Sequence, residues 1–397
     1  MTKPNFSLLT GITGRMQEIP EPELVRVPLR GHSTKTIKKK APVNVGTLVA
    51  EHPDPFVGDA HSPIQGVVVD VTDNEVVIAA GEAKPAKEGE PAPTAAPVPP
   101  VDLAGLGEDD LRTALKSLGV STGLFPKAAT LIINALNPEP GTGISEVLMG
   151  DHRDTVEMGL DLVLKMVEPN RMFLAVPEGK SWSLPGFTTK EVRPYYPNSQ
   201  NPLVIKALTG AEQSYGVCVV SILEVHGVGR VVRTKMPLIQ TALTVGKAVY
   251  RIKVGTPLSV VLAQTGLTAE PADRVVLGGP MRGRAASTLE IGVSKDDYAL
   301  TVVPQHAFPP VTDQPCINCG ECALVCPARL MPGFVTRYVE FKMYDKAAEF
   351  FIDSCMECGL CGYVCTARRP MLQLIRLGKK TLEIQASALK SSRLQGE

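Results

Sequence analysis

The sequence predicts a multidomain chain that joins an α/β domain to small β units and a helical C-terminal module. Short apolar runs of alternating polarity, bounded by turn residues, fill 25–81. Strand-like and helix-like segments alternate through 119–225, and eight of the nine cysteines form two tight clusters near the C-terminal end. Period-two runs indicate strands, and alternating strands and helices indicate a parallel sheet.

The N-terminal part consists of small strands. Its runs are VRVPLRGH, NVGTLVAEHP, SPIQGVVVDV and NEVVIAAG, and the flanking Gly, Pro and Asp are typical strand boundaries. The pairing of NVGTLVAE with SPIQGVVVDV resembles a lipoyl-type barrel-sandwich hybrid, which we place at 1–82. The next segment, 83–100, contains six prolines, and this composition predicts a semi-extended linker.

Two further domains are predicted in the middle of the chain. In 101–229 the runs TLIINAL, RMFLAVP and VCVVSILEV indicate strands, and DTVEMGLDLVLKMV indicates a helix. DLAGLGEDDLRTALKSLG predicts an amphipathic helix that begins near Glu108. In 230–304 the runs RVVRTKMPL, KAVYRIKVGTPLSVVLAQTG, DRVVLGGPMRGRAA and YALTVVP return to short strands, which we interpret as a small β-grasp (SLBB-like) unit.

The two cysteine clusters, CINCGECALVCP and CMECGLCGYVCT, carry the clearest chemistry. Both follow C-x2-C-x2-C-x3-C, the spacing of bacterial ferredoxins with two 4Fe–4S clusters, in which the fourth cysteine binds the other cluster. We expect that cysteine to open a helix, and Gly320 and Gly359 to ease each tight loop. The predicted ligands are Cys316, Cys319, Cys322 and Cys365 for one cluster, and Cys326, Cys355, Cys358 and Cys361 for the other.

Zinc is the alternative occupant, although zinc sites need four ligands each without the third, helix-starting spacing. Pro327 follows the first motif, whereas Thr366 replaces proline after the second. Between the motifs, MPGFVTRYVEFKMYDKAAEFFID predicts a helix, so an α-helical dicluster domain is expected at 305–370. The remaining cysteine, Cys218, lies in GVCVVS and predicts a buried apolar position.

The last segment, 371–397, combines basic and apolar residues. A basic amphipathic helix of this kind can lie against anionic lipid or a membrane subunit. The alternative is a terminal helix that packs on the dicluster domain.

The composition restricts partners and location. The chain contains 41 basic residues (Lys and Arg) and 41 acidic residues (Asp and Glu). Its net charge therefore creates no overall electrostatic field that would attract nucleic acid. No run of 18 apolar residues and no signal-peptide pattern occur, which predicts a cytoplasmic protein that reaches a membrane only as a peripheral subunit.

The domain order and the motifs together resemble the RnfC family, the C subunit of the Rnf electron-transport complex. The most specific match lies in 254–304, where the family has a G-G-P-M-x-G phrase. The residues that reproduce it are Gly278, Gly279, Pro280, Met281 and Gly283. The cysteine motifs are equally close, and EPGT at 139–142 resembles an acidic loop of the more distantly similar flavin subunit of respiratory complex I.

The resemblance implies a peripheral module on the cytoplasmic face of the inner membrane, within an ion-pumping complex that links ferredoxin and NAD. Its implied partners are integral membrane subunits and ferredoxin or another electron carrier. In that family hydride chemistry occurs at a noncovalent FMN, and the clusters pass single electrons onward.

The flavin motifs of the family are altered here. Its phosphate loop runs roughly G-G-A-G-F-P-T, whereas 121–127 reads STGLFPK, with Leu124 where glycine is expected. Its E-C-E-P patch becomes NPEP at 137–140, and its Y-P-x-G-x-E phrase becomes YPNSQN at 196–201. Either the domain is a scaffold, or FMN still binds at the retained positions; an NADH site is not expected. The FMN candidates are Gly123, Phe125, Lys127 and Glu139.

We therefore expect an iron–sulfur electron-transfer subunit of a membrane-associated, Rnf-like redox complex. The alternative is a catalytic subunit, an FMN-dependent oxidoreductase acting on NADH or ferredoxin. An assembly scaffold with structural clusters is a third interpretation, and whether the chain is itself an enzyme stays open.

Overall fold

The computed structural model describes residues 4–12, 14–34, 37–81, 102–211, 215–308, 310–312 and 314–394. The predicted linker at 83–100 and the end of the tail lie outside the described residues. The chain forms two compact units. The larger comprises Ser7–Gly279 with Arg284–Val303, and the smaller comprises Met1–Phe6, Pro280–Gly283 and Pro304–Glu397.

The N-terminal part of the chain consists of short strands, as predicted, and from Ser7 onwards they belong to the larger unit. The strands are β1 (Phe6–Ser7), β2 (Gln17–Glu18), β3 (Leu24–Pro28), β4 (Pro42–Val43), β5 (Leu48–Ala50), β6 (Ala60–His61), β7 (Gly66–Val71) and β8 (Glu75–Ala80). Four of them form a sheet in the order β3-β8-β7-β4, and β5 pairs with β6. Alternate residues such as Val25, Val27 and Ile78 fill the core between them.

An α/β domain follows. Its elements are α1 (Glu108–Ser117), a 3-10 turn (Thr122–Leu124), β9 (Thr130–Asn134), α2 (Ile144–Asp151), α3 (Arg153–Val167), β10 (Arg171–Pro177), β11 (Thr188–Val192), β12 (Tyr195–Tyr196), α4 (Asn201–Thr209), β13 (Val217–Ser221) and α5 (Ile222–Thr234). The sheet order is β11-β10-β9-β13, and all its pairs are parallel. The predicted α1 and the predicted parallel sheet are thus confirmed.

The strand prediction for VCVVSILEV is wrong in its second half. The strand ends at Ser221 and α5 begins at Ile222. The Ser221 side chain accepts the Glu224 N–H, and the Glu224 carboxylate accepts the Ser221 N–H. This capping box starts a helix, and the helix runs to Thr234, through the predicted domain boundary at 229/230.

A mixed sheet completes the larger unit. Its elements are β14 (Gln240–Val245), β15 (Ala248–Lys253), α6 (Leu258–Thr265), β16 (Arg274–Leu277), β17 (Arg284–Ala285) and β18 (Ala299–Val303), in the order β17-β16-β18-β14-β15-β2. Two predicted strands are wrong. RVVRT lies in α5, and LSVVLAQT forms α6, because Pro257 precedes the helix and Gly266 ends it in a left-handed conformation.

The smaller unit is helical, as predicted. It contains α7 (Glu321–Val325), α8 (Pro332–Glu340), α9 (Tyr344–Glu349), a 3-10 turn (Ile352–Ser354), α10 (Leu360–Tyr363) and α11 (Met371–Leu394). The single helix predicted between the cysteine motifs is wrong. Lys342 and Phe351 adopt φ of 58° and 59°, and left-handed residues end the helices at these points.

The tail helix α11 packs on the smaller unit along its first turns. Met371, Leu372 and Ile375 are buried in the core of this unit. Buried Arg369, just before the helix, donates to the Glu340 carboxylate at 2.5 Å. The packing alternative is therefore confirmed for this part of the tail. Among the described residues, no helix has both the length and the apolar character needed to cross a membrane.

Candidate metal centre

The two cysteine loops adopt a left-handed backbone conformation at the same two positions of the motif. Asn318 and Glu357 occupy equivalent places in the motifs, with φ of 58° and 53°. Gly320 and Gly359, also equivalent, have φ of 81° and 78° and stand at the N-termini of α7 and α10. Two left-handed residues per motif curl each loop around its thiols. The sequence pattern indicates a left-handed conformation at the two glycines but not at Asn318 and Glu357. Of these two residue types, only Asn is common in this conformation.

The fourth cysteine of each motif does not open a helix, so that expectation is wrong. Cys326 ends α7, and Cys365 follows α10. The long helices begin only at Pro332 and Met371. The short helical turn therefore contains the third cysteine of each motif and ends before the fourth.

The eight motif thiols lie in two groups, each drawn from both motifs. The first thiol group comprises Cys316, Cys319, Cys322 and Cys365. Burial chiefly raises the pKa of the Cys322 thiol, and the other three thiols of this group raise it further. The second thiol group comprises Cys326, Cys355, Cys358 and Cys361, and all four of these residues line one pocket. Gly333 touches the first group, because a Cβ there would lie 3.4 Å from the Cys322 Sγ and 3.9 Å from the Cys316 Sγ.

The two thiol groups differ in burial. In the second group Cys358 and Cys361 are 7% and 8% exposed, whereas Cys319 in the first is exposed. Burial raises the pKa of the Cys358 thiol to about 11 and that of Cys361 still further. The Thr366 hydroxyl, 3.4 Å from the Cys319 Sγ, and the Glu321 N–H lower the pKa of Cys319. Thr366 thus adds a polar contact where the ferredoxin pattern has proline.

The donor set fits an iron–sulfur cluster in each group. In the described part of the chain, no three His, Cys, Asp or Glu side chains converge so as to hold a single metal ion. The sulfur ligands of one zinc ion would lie about 4 Å apart, since each Zn–S bond is about 2.3 Å long. The cysteine sulfurs that bind a cubane lie farther apart than this, because the whole cube stands between them. The four thiols that line one pocket in the second group, three from one motif and one from the other, have the arrangement of dicluster ferredoxins.

The residues beyond the cysteines also repeat. The number of residues between Arg337 in α8 and Arg376 in α11 is the same as that between Cys316 and Cys355. The two arginines therefore occupy equivalent positions in the two halves of the domain. The Arg337 guanidinium donates to the Asn318 Oδ1 at 2.9 Å. The Arg376 Nε donates to the Glu357 carboxylate, also at 2.9 Å. Each motif loop is therefore clamped by an arginine of the helix that follows it.

The two halves of the domain carry different charges at two equivalent positions. Asn318 of the first half corresponds to Glu357 of the second, and Glu340 corresponds to Lys379. The Lys379 Nζ donates to the Cys355 carbonyl at 2.6 Å and to the Glu357 carboxylate at 3.2 Å. The surroundings of the two thiol groups are thus not electrostatically equivalent.

The candidate flavin loop in the α/β domain has its amides engaged within the protein. The Gly123 N–H donates to the Phe56 carbonyl at 3.1 Å, and the Phe125 N–H donates to the Thr122 carbonyl at 3.0 Å. The Leu124 N–H points to the Ser121 carbonyl at 3.4 Å. A phosphate cradle needs such amides to face the ligand, so this conformation does not fit an FMN phosphate.

The other FMN candidates lie in separate ion pairs and hydrogen bonds. The Lys127 ammonium lies 2.5 Å from the Glu108 carboxylate and 3.4 Å from that of Glu168, and the Glu108 contact chiefly raises its pKa. Glu139 is fully buried and accepts the Tyr298 hydroxyl. Lys127 is thus paired on the protein surface, and Glu139 is part of a packed interior.

Asn137 stands where the family has the first glutamate of its acidic patch, and it is used structurally. Its Nδ2 donates to the Leu8 carbonyl at 2.8 Å, and its Oδ1 accepts the Ser145 N–H at 2.9 Å. The amide thus ties the start of α2 to the N-terminal segment.

A family model described as a 4Fe-4S dicluster domain matches residues 310–366. The chain is 27% identical over 366 residues to the C subunit of the ion-translocating oxidoreductase complex of Rhodobacter capsulatus, covering 80% of this chain and 70% of that protein. It is 27% identical to the C subunit of the Na(+)-translocating ferredoxin:NAD(+) oxidoreductase complex of Acetobacterium woodii, covering 92% of each. The corresponding C subunit of Edwardsiella ictaluri is 32% identical, with 70% of this chain and 37% of that protein covered.

A chain of an NAD+-reducing [NiFe]-hydrogenase, solved in its H2-reduced state, is similar with a TM-score of 0.45 and 14% identity. The match covers 74% of this chain and 67% of that one. A likeness at this level assigns no role to any residue here.

Proposed function

The chain belongs to the RnfC family, the C subunits of ion-translocating oxidoreductase complexes, and from that premise we propose its function. It is the iron–sulfur electron-transfer subunit of an Rnf-like complex. The observation that carries the proposal is the interlocked grouping of the motif thiols, in which each group contains three cysteines of one motif and the fourth of the other.

We propose that each thiol group holds one 4Fe–4S cluster, so that the chain carries two. Clusters bound there supply one-electron reduction and reoxidation. The protein provides the thiolates and the left-handed loops that direct them, and the arginine clamps hold those loops. No side chain needs to act as an acid or a base, since only electrons move.

Because Cys358 and Cys361 of the second thiol group are buried and Cys319 of the first is exposed, we propose that exchange with another carrier occurs at the first. Electron transfer becomes slower with distance, so a carrier in solution or on a partner subunit reaches the exposed group more readily. The interlocking of the groups through Cys326 and Cys365 then provides a short path between them.

We further propose that the α/β domain acts as a scaffold and does not hold FMN. The engaged amides of Gly123 and Phe125 support this, as do the ion pairs of Lys127 and the burial of Glu139. If FMN did bind, these four residues are the ones that the family pattern indicates. Stoichiometric flavin absorbance in the purified chain would refute the scaffold proposal and favour the catalytic alternative.

For the domain layout we propose a barrel-sandwich hybrid at 1–82, a linker at 83–100, a flavin-subunit-like α/β domain from 101 and a β-grasp (SLBB-like) unit up to 304. The boundary between the last two belongs after Thr234, where α5 ends. The dicluster domain extends beyond 370, because the first turns of α11 are part of its core.

The names of the relatives suggest the partners. They are subunits of ion-translocating complexes, and one name includes ferredoxin and NAD(+). We propose that this chain binds integral membrane subunits on the cytoplasmic face of the membrane. Its redox partner would be ferredoxin or another one-electron carrier.

Anaerobic purification followed by a dithionite titration, monitored by electron paramagnetic resonance, tests the electron-transfer proposal. Reversible one-electron reduction of the bound clusters is expected. Clusters that are present but cannot be reduced and reoxidised would indicate a structural role instead, and would contradict the proposal.

A further inference from the structure

We propose that Lys379 raises the reduction potential of the cluster held by the second thiol group, and that Glu357 lowers it. This inference rests on the proposed function, because it assumes a cluster at that group. It goes further by assigning an electrostatic role to two side chains that are not ligands, and by predicting different potentials for the two clusters.

The first support is the position of Lys379. Its Nζ donates to the carbonyl of a ligand residue, Cys355, at 2.6 Å. The side chain is 24% exposed, so water screens its charge less than that of a free surface lysine. A full positive charge is therefore held beside the second thiol group.

The second support is the fixed position of Glu357. Its N–H lies 3.4 Å from the Cys355 Sγ, so the residue follows the ligand loop closely. Its carboxylate is held by Arg376 at 2.9 Å and by Lys379 at 3.2 Å, and its side chain is 26% exposed. The three side chains together carry one net positive charge, and their mutual contacts restrict their positions.

The third support is that the first half of the domain lacks this arrangement. The place of Glu357 is taken there by neutral Asn318, and the place of Lys379 by the acidic Glu340. Glu340 points to Arg369. The first loop has the same left-handed positions without a lysine at the equivalent of position 379. The charge of Lys379 therefore distinguishes the second half of the domain from the first.

The physical argument concerns charge. One-electron reduction makes the group held by the four thiolates more negative by one unit. A cation close by stabilises that extra charge and a carboxylate destabilises it, and local charge is one of the factors that set cluster potentials. Removal of Lys379 should therefore lower the potential, and removal of the Glu357 charge should raise it.

The test is a dithionite titration of the intact, cluster-loaded chain and three variants, with both midpoint potentials followed by electron paramagnetic resonance. Lys379→Gln keeps a donor for the Cys355 carbonyl but removes the charge. Glu357→Gln removes the negative charge. Lys380→Gln is the matched control, because Lys380 is the next residue of α11, is 66% exposed and pairs with Glu383.

We expect one midpoint to move to more negative values in Lys379→Gln and to more positive values in Glu357→Gln. The other midpoint should move less in both, and neither should move in Lys380→Gln. A merely structural role for Lys379 predicts unchanged midpoints, because glutamine retains a donor.

Unchanged midpoints, or shifts of the same sign in both variants, would overturn the inference while leaving the proposed function intact. Absence of any reducible cluster in the parent chain would overturn the proposed function, and the inference with it.

Discussion

The Cα of Gly359 faces the carbonyl oxygen of Met281, and a Cβ at Gly359 would lie 2.3 Å from that oxygen. Met281 belongs to the G-G-P-M-x-G phrase, and Gly359 to the second cysteine motif. Both are in the smaller unit. The G-G-P-M-x-G phrase and the second cysteine motif, which look independent in the sequence, are therefore in contact. Position 359 requires glycine both because a side chain would collide with Met281 and because the backbone there is left-handed.

Gly359→Ala should destabilise the smaller unit more than Gly320→Ala. Both glycines have a left-handed φ, for which alanine costs about 1–2 kcal/mol. A Cβ at Gly320 meets nothing within 4 Å, so that variant isolates the backbone cost. The contact with Met281 should add about 1–3 kcal/mol in Gly359→Ala. Thermal unfolding followed by circular dichroism measures the difference, and equal losses would contradict the contact.

Each fourth cysteine should support the cluster of the opposite motif. Cys365→Ser should disrupt the cluster that shares Cys316, Cys319 and Cys322, although Cys365 lies in the second motif. Iron analysis and electron paramagnetic resonance should show the loss of one cluster and retention of the other. Cys218→Ser is the control, because Cys218 belongs to the larger unit, is buried there and is part of neither motif. If Cys365→Ser instead lost the cluster that shares Cys355, Cys358 and Cys361, the interlocked grouping would be contradicted.

The contact between α3 and α5 should not tolerate a side chain at Gly229. A Cβ there would lie 1.7 Å from the Thr155 carbonyl oxygen, so Gly229→Ala should cost about 3 kcal/mol of unfolding free energy through overpacking. Gly227→Ala lies in the same helix, where the nearest atom would be 3.6 Å away. It should be neutral or stabilising by up to about 1 kcal/mol, since alanine favours helix. Urea unfolding compares the two, and a stable Gly229→Ala would contradict the close approach.

The stability of the larger unit should fall between pH 7 and pH 5 because of His226. Burial, and then the charges of His152, Arg230 and Arg251, lower its pKa to about 3, whereas the unfolded value is about 6.5. The unfolded chain therefore binds the proton first as the pH falls. The stabilisation is complete above about pH 6.5 and decreases towards pH 3, by on the order of 2 kcal/mol at pH 5.

Urea unfolding at pH 7 and pH 5 measures this loss. His226→Gln should reduce the pH dependence, and substitution of the exposed His306 should leave it unchanged. The same slope in His226→Gln and the parent chain would show that other groups cause it.

The sequence predicts local features well where the chemistry itself is local. The cysteine spacing, the loop glycines and the parallel strands are set by short stretches, and the structure contains the loops and strands as expected. The capping box from Ser221 to Glu224 is equally local. The apolar run around it nevertheless favours a continuous strand, and this is why the start of α5 is not predicted.

Other features depend on tertiary contacts. The break at Lys342 involves a non-glycine residue with positive φ, which no local propensity indicates. The edge strand β11 is almost entirely exposed and polar, so it carries no alternating pattern. The engaged amide of Gly123 depends on Phe56, far away in sequence. The contact of Lys379 with Glu357 likewise appears only when α11 packs beside the second cysteine loop.

Iron and acid-labile sulfide analysis of the anaerobically purified chain tests the central claim most directly. Two 4Fe–4S clusters predict about eight iron atoms and about eight sulfides per chain. Stoichiometric zinc, or about four of each for a single cluster, would contradict the proposal that both thiol groups hold clusters.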